Sequence, residues 1–171
     1  MLDFMSKRSA NTVTLINIVF GSLSLIHTLH GNHKAAALCI LLAVVMDGMD
    51  GRIARKFGVS SEMGKELDSL CDLVSFGVAP ALLLYAQVMY IFPHILGLIV
   101  AILYIVCGAF RLARFNVLNI KEYFIGMPIT LAGTILAFVS LLAASIPVNL
   151  ILITVVFLAY MMISNIKVPK Y

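Results

Sequence analysis

Ala35-Ala-Ala-Leu-Cys-Ile40-Leu-Leu-Ala-Val-Val-Met46 runs straight into Asp47-Gly-Met-Asp50-Gly51-Arg-Ile-Ala54-Arg55, and this junction decides what kind of protein the chain is. Twelve apolar residues in helical form rise about 18 Å, whereas a bilayer core is roughly 30 Å thick. A helix that begins at the outer interface therefore carries Asp47 below the inner membrane surface and Arg55 close to it, so the acids line a cavity open to the cytosol. Ionisable groups at membrane depth are costly and are functional suspects by default. Beyond Arg55 the chain continues to Gly64, Asp68 and Asp72. At about 100° per residue Asp47, Asp50, Gly51 and Ala54 share one helix face, and Gly64, Asp68, Asp72 and Ser75 share another. Two small, acidic faces on adjacent helices are thereby able to meet.

Composition leads to the same setting. The 171 residues are 62% hydrophobic and 12% charged, with mean hydropathy +1.07, too apolar for a soluble domain of this length. Apolar runs separated by short polar or Gly/Pro-containing connections predict an all-α membrane protein with six transmembrane helices, roughly 12–29, 35–55, 63–91, 94–117, 123–146 and 148–165. They form one integral-membrane catalytic domain over 1–171. In this six-span arrangement Lys7, Arg8, Arg52, Arg55, Lys56, Lys65, Arg111, Arg114, Lys121, Lys167 and Lys170 fall on one side and only Lys34 on the other. The positive-inside rule then places both termini and the acidic segment towards the cytoplasm. The net charge of +4 is membrane topology and calls for no nucleic-acid partner. Phe4 to Thr12 is a basic, polar lead-in with no small-x-small cleavage site after it, so the first helix reads as a retained anchor.

Four carboxylates at close quarters repel, and a divalent cation neutralises them economically. An all-oxygen donor set selects Mg²⁺ or Mn²⁺ over metals that call for His or Cys. Glycines beside the acids let a helix or a phosphate approach the backbone, and Arg55 adds a fixed cation for phosphate oxygens. The constellation suits a pyrophosphate. Acids that merely cap helices or form ion pairs are the plain alternative, but that reading leaves the fixed offsets of the glycines unexplained.

The segment fits D-x2-D-G-x2-A-R-x8-G-x3-D-x3-D throughout, and in this the chain resembles the CDP-alcohol phosphatidyltransferase family. Two further stretches, Asp68-Ser-Leu-Cys-Asp72-Leu-Val-Ser75-Phe-Gly77-Val-Ala-Pro80-Ala81 and Arg111-Leu-Ala-Arg114-Phe-Asn116, look like the serine-accepting branch of that family. The resemblance covers most of the chain. Members of that branch usually carry further helices after the Ile166-Lys-Val-Pro-Lys stretch, which makes a chain stopping at Tyr171 either a short member or a truncated one.

The resemblance implies a membrane transferase of phospholipid biosynthesis that moves the phosphatidyl group of CDP-diacylglycerol or CDP-archaeol to L-serine and releases CMP. It implies two divalent metals on Asp47, Asp50, Asp68 and Asp72, with Asp72 also the general base. Asn11, Thr14, Gly51, Ala54, Arg55 and Gly64 fall to the CDP-lipid. Ser75, Arg111 and Arg114 fall to the acceptor, and a homodimer in the cell membrane is the expected assembly.

Several of these residues carry a second reading. Asn11 and Thr14 suit a helix start, Arg111 and Arg114 are ordinary membrane-flanking cations, and Ser75 and Gly77 are small enough to serve helix packing alone. Two other functions also stand beside the first. A related transferase taking glycerol phosphate or inositol phosphate would need a more cationic pocket. A divalent-ion transporter would use the acids but not the spaced glycines or Arg55. Cys39, Cys71 and Cys107 are scattered and suggest no disulfide framework. His27, His30 and His33 straddle a turn on the side away from the acids and read as interfacial polar residues.

Overall fold

A computed structural model describes residues 2–57, 62–91, 94–118, 123–164 and 167–169, with side chains at 14–49, 62–91, 95–117 and 126–164. The helices are α1 (Leu2–Leu29), α2 (His33–Phe57), α3 (Glu62–Asp72), α4 (Ala79–Gln87), α5 (His94–Leu118), α6 (Ile129–Leu141) and α7 (Val148–Ile163). A π-helical turn, Leu73–Val78, joins α3 to α4, so that 62–87 is one continuous rod. Two three-residue strands, β1 (Tyr123–Ile125) and β2 (Lys167–Pro169), pair antiparallel, with Phe124 opposite Val168.

Polarity across α1 is inverted relative to a soluble helix. Its buried positions are Thr14, Asn17, Gly21, Ser24 and Thr28, while Leu15, Val19, Leu23 and Ile26 on the other side are exposed. The 3-4-3-4 spacing keeps one small, polar seam turned inward. Such seams pack membrane helices, where apolar surface gains nothing by leaving lipid and small residues let backbones approach. The facing seam of α2 is Ala36, Ile40, Ala43 and Asp47, again with exposed Leu38, Leu42 and Val45 outside. The rod Glu62–Gln87 and the segment Ile95–Val117 of α5 are long and apolar enough to cross a membrane, at 26 and 23 residues. The chain is accordingly a membrane-associated protein of helical architecture.

The turn between α1 and α2 is specified by Gly31, whose φ of 73° is costly for any side-chain-bearing residue. Gly31 N donates to Thr28 O at 3.0 Å and Asn32 N to His27 O at 2.9 Å, a Schellman closure. Asn32 then caps α2, its Oδ1 accepting from Ala35 N at 3.3 Å. This fixes α1 and α2 as an antiparallel pair.

The expected fifth helix, 123–146, is corrected by the structure. Residues 123–125 are strand β1, Gly126 takes φ 72°, and Pro128 is the N-cap of a helix confined to Ile129–Leu141. Proline disfavours helical geometry in the residue before it. A Cβ at Gly126 would stand 2.6 Å from Met162 O, so the chain touches the end of α7 there through bare backbone. The expected third helix, 63–91, is likewise divided: α-helix gives way to the π-helical turn after Asp72, and a 3₁₀ turn at Met89–Ile91 follows α4.

Candidate active site

Asp47 extends the buried seam of α2 at the end nearest α3. Asp68 and Asp72 are one turn apart on α3 and so project from one face. The two faces converge, and carboxylate oxygens of Asp47, Asp68 and Asp72 lie within 4.8 Å of one another. Two unit charges at 4 Å repel by roughly 4 kcal/mol at an effective dielectric constant near 20, a cost that a cation among the three acids relieves. The donor set is all oxygen, so these residues fit a hard divalent metal. Asp50 belongs to α2, but its side chain, with those of Asn11, Gly51, Ala54 and Arg55, lies outside the described residues.

Neighbouring elements aim the acids. Asn17 on α1 donates from Nδ2 to Asp72 Oδ1 at 3.2 Å, and both residues are buried. Thr130 on α6 donates from Oγ1 to Asp47 Oδ2 at 3.4 Å. The π-helical turn sits immediately behind Asp72 and is held on two sides. Ser75 Oγ donates to Asn17 O at 3.1 Å, and Tyr104 Oη on α5 donates to Phe76 O at 3.1 Å. Close approach is essential there, since a Cβ on Gly21 would fall 2.9 Å from Ser75 Cα and one on Gly133 would fall 2.8 Å from the Phe76 backbone. π-turns recur at functional sites because they re-aim the residues beside them. Here the turn lets α3 present Asp72 to the acids and Ser75 to α1.

Of the expected acceptor residues, Arg111 is buried, with its guanidinium 5.6 Å from the centroid of the Phe115 ring and within electrostatic reach of Asp72. Ser75 is wholly buried, and its hydroxyl is engaged with α1. Arg114 donates from Nη1 to Ile163 O at 3.1 Å and from Nη2 to Ser164 O at 3.4 Å, closing the end of α7. Thr14 is buried one turn before Asn17 on the same seam of α1, and Gly64 is half-buried at the start of α3. Cys71 is buried, although it stands between two acids in sequence.

Asn17, Thr130 and Tyr104 escape a reading of motifs. Asn17 left one usable sign, an amide within an apolar run at membrane depth. Thr130 and Tyr104 left none. Asn116, which closes the Arg111 stretch, donates to Glu66 Oε1 at 3.2 Å and Ser69 Oγ at 3.1 Å, and so ties α5 to α3.

An acidic, metal-fitting centre set between membrane helices is what a membrane phosphoryl-group transferase needs, and comparison with known proteins decides the class. Residues 7–164 match the model of the CDP-alcohol phosphatidyltransferase family. A CDP-diacylglycerol–serine O-phosphatidyltransferase from Methanocaldococcus jannaschii is 43% identical over 159 residues, 93% of this chain and 72% of the relative. The protein of that name from Bacillus subtilis is 41% identical over 160 residues, 93% of this chain and 88% of the relative. One from Helicobacter pylori is 35% identical over 170 residues, covering 94% and 71%. The chain belongs to the CDP-alcohol phosphatidyltransferase family.

Proposed function

We propose that the protein transfers the phosphatidyl group of CDP-diacylglycerol, or of its archaeol counterpart, to the hydroxyl of L-serine, with release of CMP and formation of a phosphatidylserine-type lipid. The observation that carries this reading is the convergence of Asp47, Asp68 and Asp72 in a chain whose relatives bear the name of that serine transferase.

Asp47, Asp68 and Asp72 would hold Mg²⁺ or Mn²⁺, with Asp50 as a further ligand in a two-metal arrangement. Such ions neutralise pyrophosphate charge and stabilise the charge that develops in displacement at phosphorus. Asp72 takes the proton from the serine hydroxyl. The freed oxygen bonds to the lipid-bearing phosphorus while the bond from that phosphorus to CMP breaks. Asn17 fixes the orientation of Asp72 during this transfer, and Thr130 that of Asp47. Arg55, Gly51, Ala54 and Gly64, with Asn11 and Thr14, would receive the nucleotide and its pyrophosphate. Arg111, Ser75 and Arg114 would be the acceptor-side groups, Arg111 within electrostatic reach of Asp72 and Arg114 anchored on the carbonyls at the end of α7. The buried flank of Asp72 keeps bulk water, a competing nucleophile, from that side of the acid.

The same reading places the protein in the cell membrane with six spans, both termini and the acids on the cytoplasmic side, as a homodimer. Eleven of twelve Lys and Arg residues on one side support the orientation. The resemblance alone supports the dimer. The deciding experiment follows CMP release by purified protein from CDP-diacylglycerol with L-serine, glycerol 3-phosphate and inositol phosphate as acceptors. Release with serine alone is expected. Preference for a phosphate-bearing acceptor would move the chain to another branch, and divalent-ion flux in liposomes without CMP release would favour a transporter.

A further inference from the structure

We propose that Asn17 and Arg111 are the two poles of a zwitterion subsite around Asp72, with Asn17 Oδ1 receiving the α-ammonium of the acceptor and Arg111 its α-carboxylate. This deepens the serine-transfer reading and rests on it.

The amide of Asn17 has a defined orientation. Its NH₂ donates to Asp72 Oδ1, 3.2 Å away, and an amide oxygen can only accept. Its carbonyl oxygen is thereby left over. Asn17 is 0% exposed, and Oδ1 has no hydrogen-bond partner among the described residues. Arg111 is 8% exposed, and its Nε has no hydrogen-bond partner among the described residues. Buried polar atoms without partners are rare in native proteins, and each calls for an explanation such as a ligand.

These two are opposite in sense and flank the same carboxylate, one by a direct bond and the other by charge. The other two such atoms, Ser24 Oγ and His33 Nδ1, belong to the far end of α1 and the start of α2. An acceptor pole, a cationic pole and a base between them answer the three polar groups that radiate from serine: ammonium, carboxylate and hydroxyl. A phosphate-bearing acceptor would use the cation but would meet the Asn17 oxygen as a repulsive neighbour. Asn17 is thus a specificity-determining residue, selecting an ammonium.

The test uses the full chain in CDP-diacylglycerol vesicles with Mn²⁺ and measures inhibition of serine-dependent CMP release by two half-ligands. Ethanolamine has the ammonium and hydroxyl, and 3-hydroxypropanoate has the carboxylate and hydroxyl. Asn17→Ala should weaken ethanolamine and raise the serine KM by about tenfold or more, the value of one charge-assisted hydrogen bond, while 3-hydroxypropanoate holds its affinity. Arg111→Gln should do the reverse.

Damage to the hydroxyl-binding geometry at Asp72 affects both half-ligands alike, whereas an altered charge at Asp72 or the metal site also changes the Mn²⁺ requirement, which is measured for each variant. A ratio change found only together with a changed Mn²⁺ requirement would overturn the proposal. An equal shift of both, or a fall in kcat with the serine KM unchanged, would overturn the proposal and leave Asn17 as an orienting residue for Asp72. Lack of inhibition by either compound in the parent protein would also overturn it. Where Asn17→Ala fails to fold, Asn17→Ser carries the same comparison, because its hydroxyl is too short to serve both Asp72 and an ammonium. A parent protein that releases no CMP with serine defeats the transferase reading itself, a failure distinct from these.

Discussion

Replacing Asp72 by Asn leaves an oxygen for the Asn17 amide and for a metal ion, but nothing that can take the proton of serine. General-base catalysis is worth about 10²- to 10⁴-fold, so Asp72→Asn should lower single-turnover CMP release by that order while CDP-lipid binding persists. A parent-like rate across the pH range would remove Asp72 from the chemistry. Asp47→Asn should abolish turnover without hindering membrane insertion, because neutralising an acid at membrane depth does not oppose insertion. Activity and membrane-fraction yield, measured together, separate this from misfolding. Thr130 acts on Asp47 from outside the ligand set, and losing such a partner typically costs about 10- to 100-fold in metal affinity. Thr130→Val should raise the Mn²⁺ concentration needed for half-maximal activity accordingly, whereas Thr130→Ser should restore it. Equal Mn²⁺ requirements in all three proteins would assign the 3.4 Å contact no role.

The π-helical turn is the element on which three others close. α6 meets it through Gly133, where an added Cβ would fall 2.8 Å from the backbone of Phe76, a neighbour with no freedom to retreat. Overpacking of this kind costs about 1–3 kcal/mol, so Gly133→Ala should lower the unfolding temperature in detergent clearly. Gly48 on α2 has nothing within 4 Å of its added Cβ, and there alanine should gain up to about 1 kcal/mol in helix propensity. Matching shifts in the two variants would contradict the packing described. This turn is also where the sequence is least informative, because Leu73-Val-Ser-Phe-Gly-Val78 simply continues an apolar run. Acids at membrane depth announce themselves by their cost. The interruption of the predicted fifth helix was available as well, in Gly126 and Pro128, but hydropathy outweighed both. Asn17 and Thr130 are different, since their partners lie 55 and 83 residues away and a single polar residue leaves no periodic trace.

At the scale of the molecule, the acids behave as one centre. Chelation by EDTA should abolish CMP release, and Mg²⁺ or Mn²⁺, but not a metal that prefers thiolate or imidazole, should restore it. Full activity in excess chelator would rule out metal at this centre. The start of α6 is tied to the last turn of α7: Met127 N donates to Met161 O at 3.1 Å, Gly126 lies against Met162 O, and β1 is completed by β2, which follows α7. During synthesis the acids of α2 and α3 therefore enter the membrane well before the segment that anchors Thr130 has left the ribosome. The nascent chain must carry Asp47 without its Thr130 partner through most of its insertion, and the centre reaches its final form only when its most distant parts have been made.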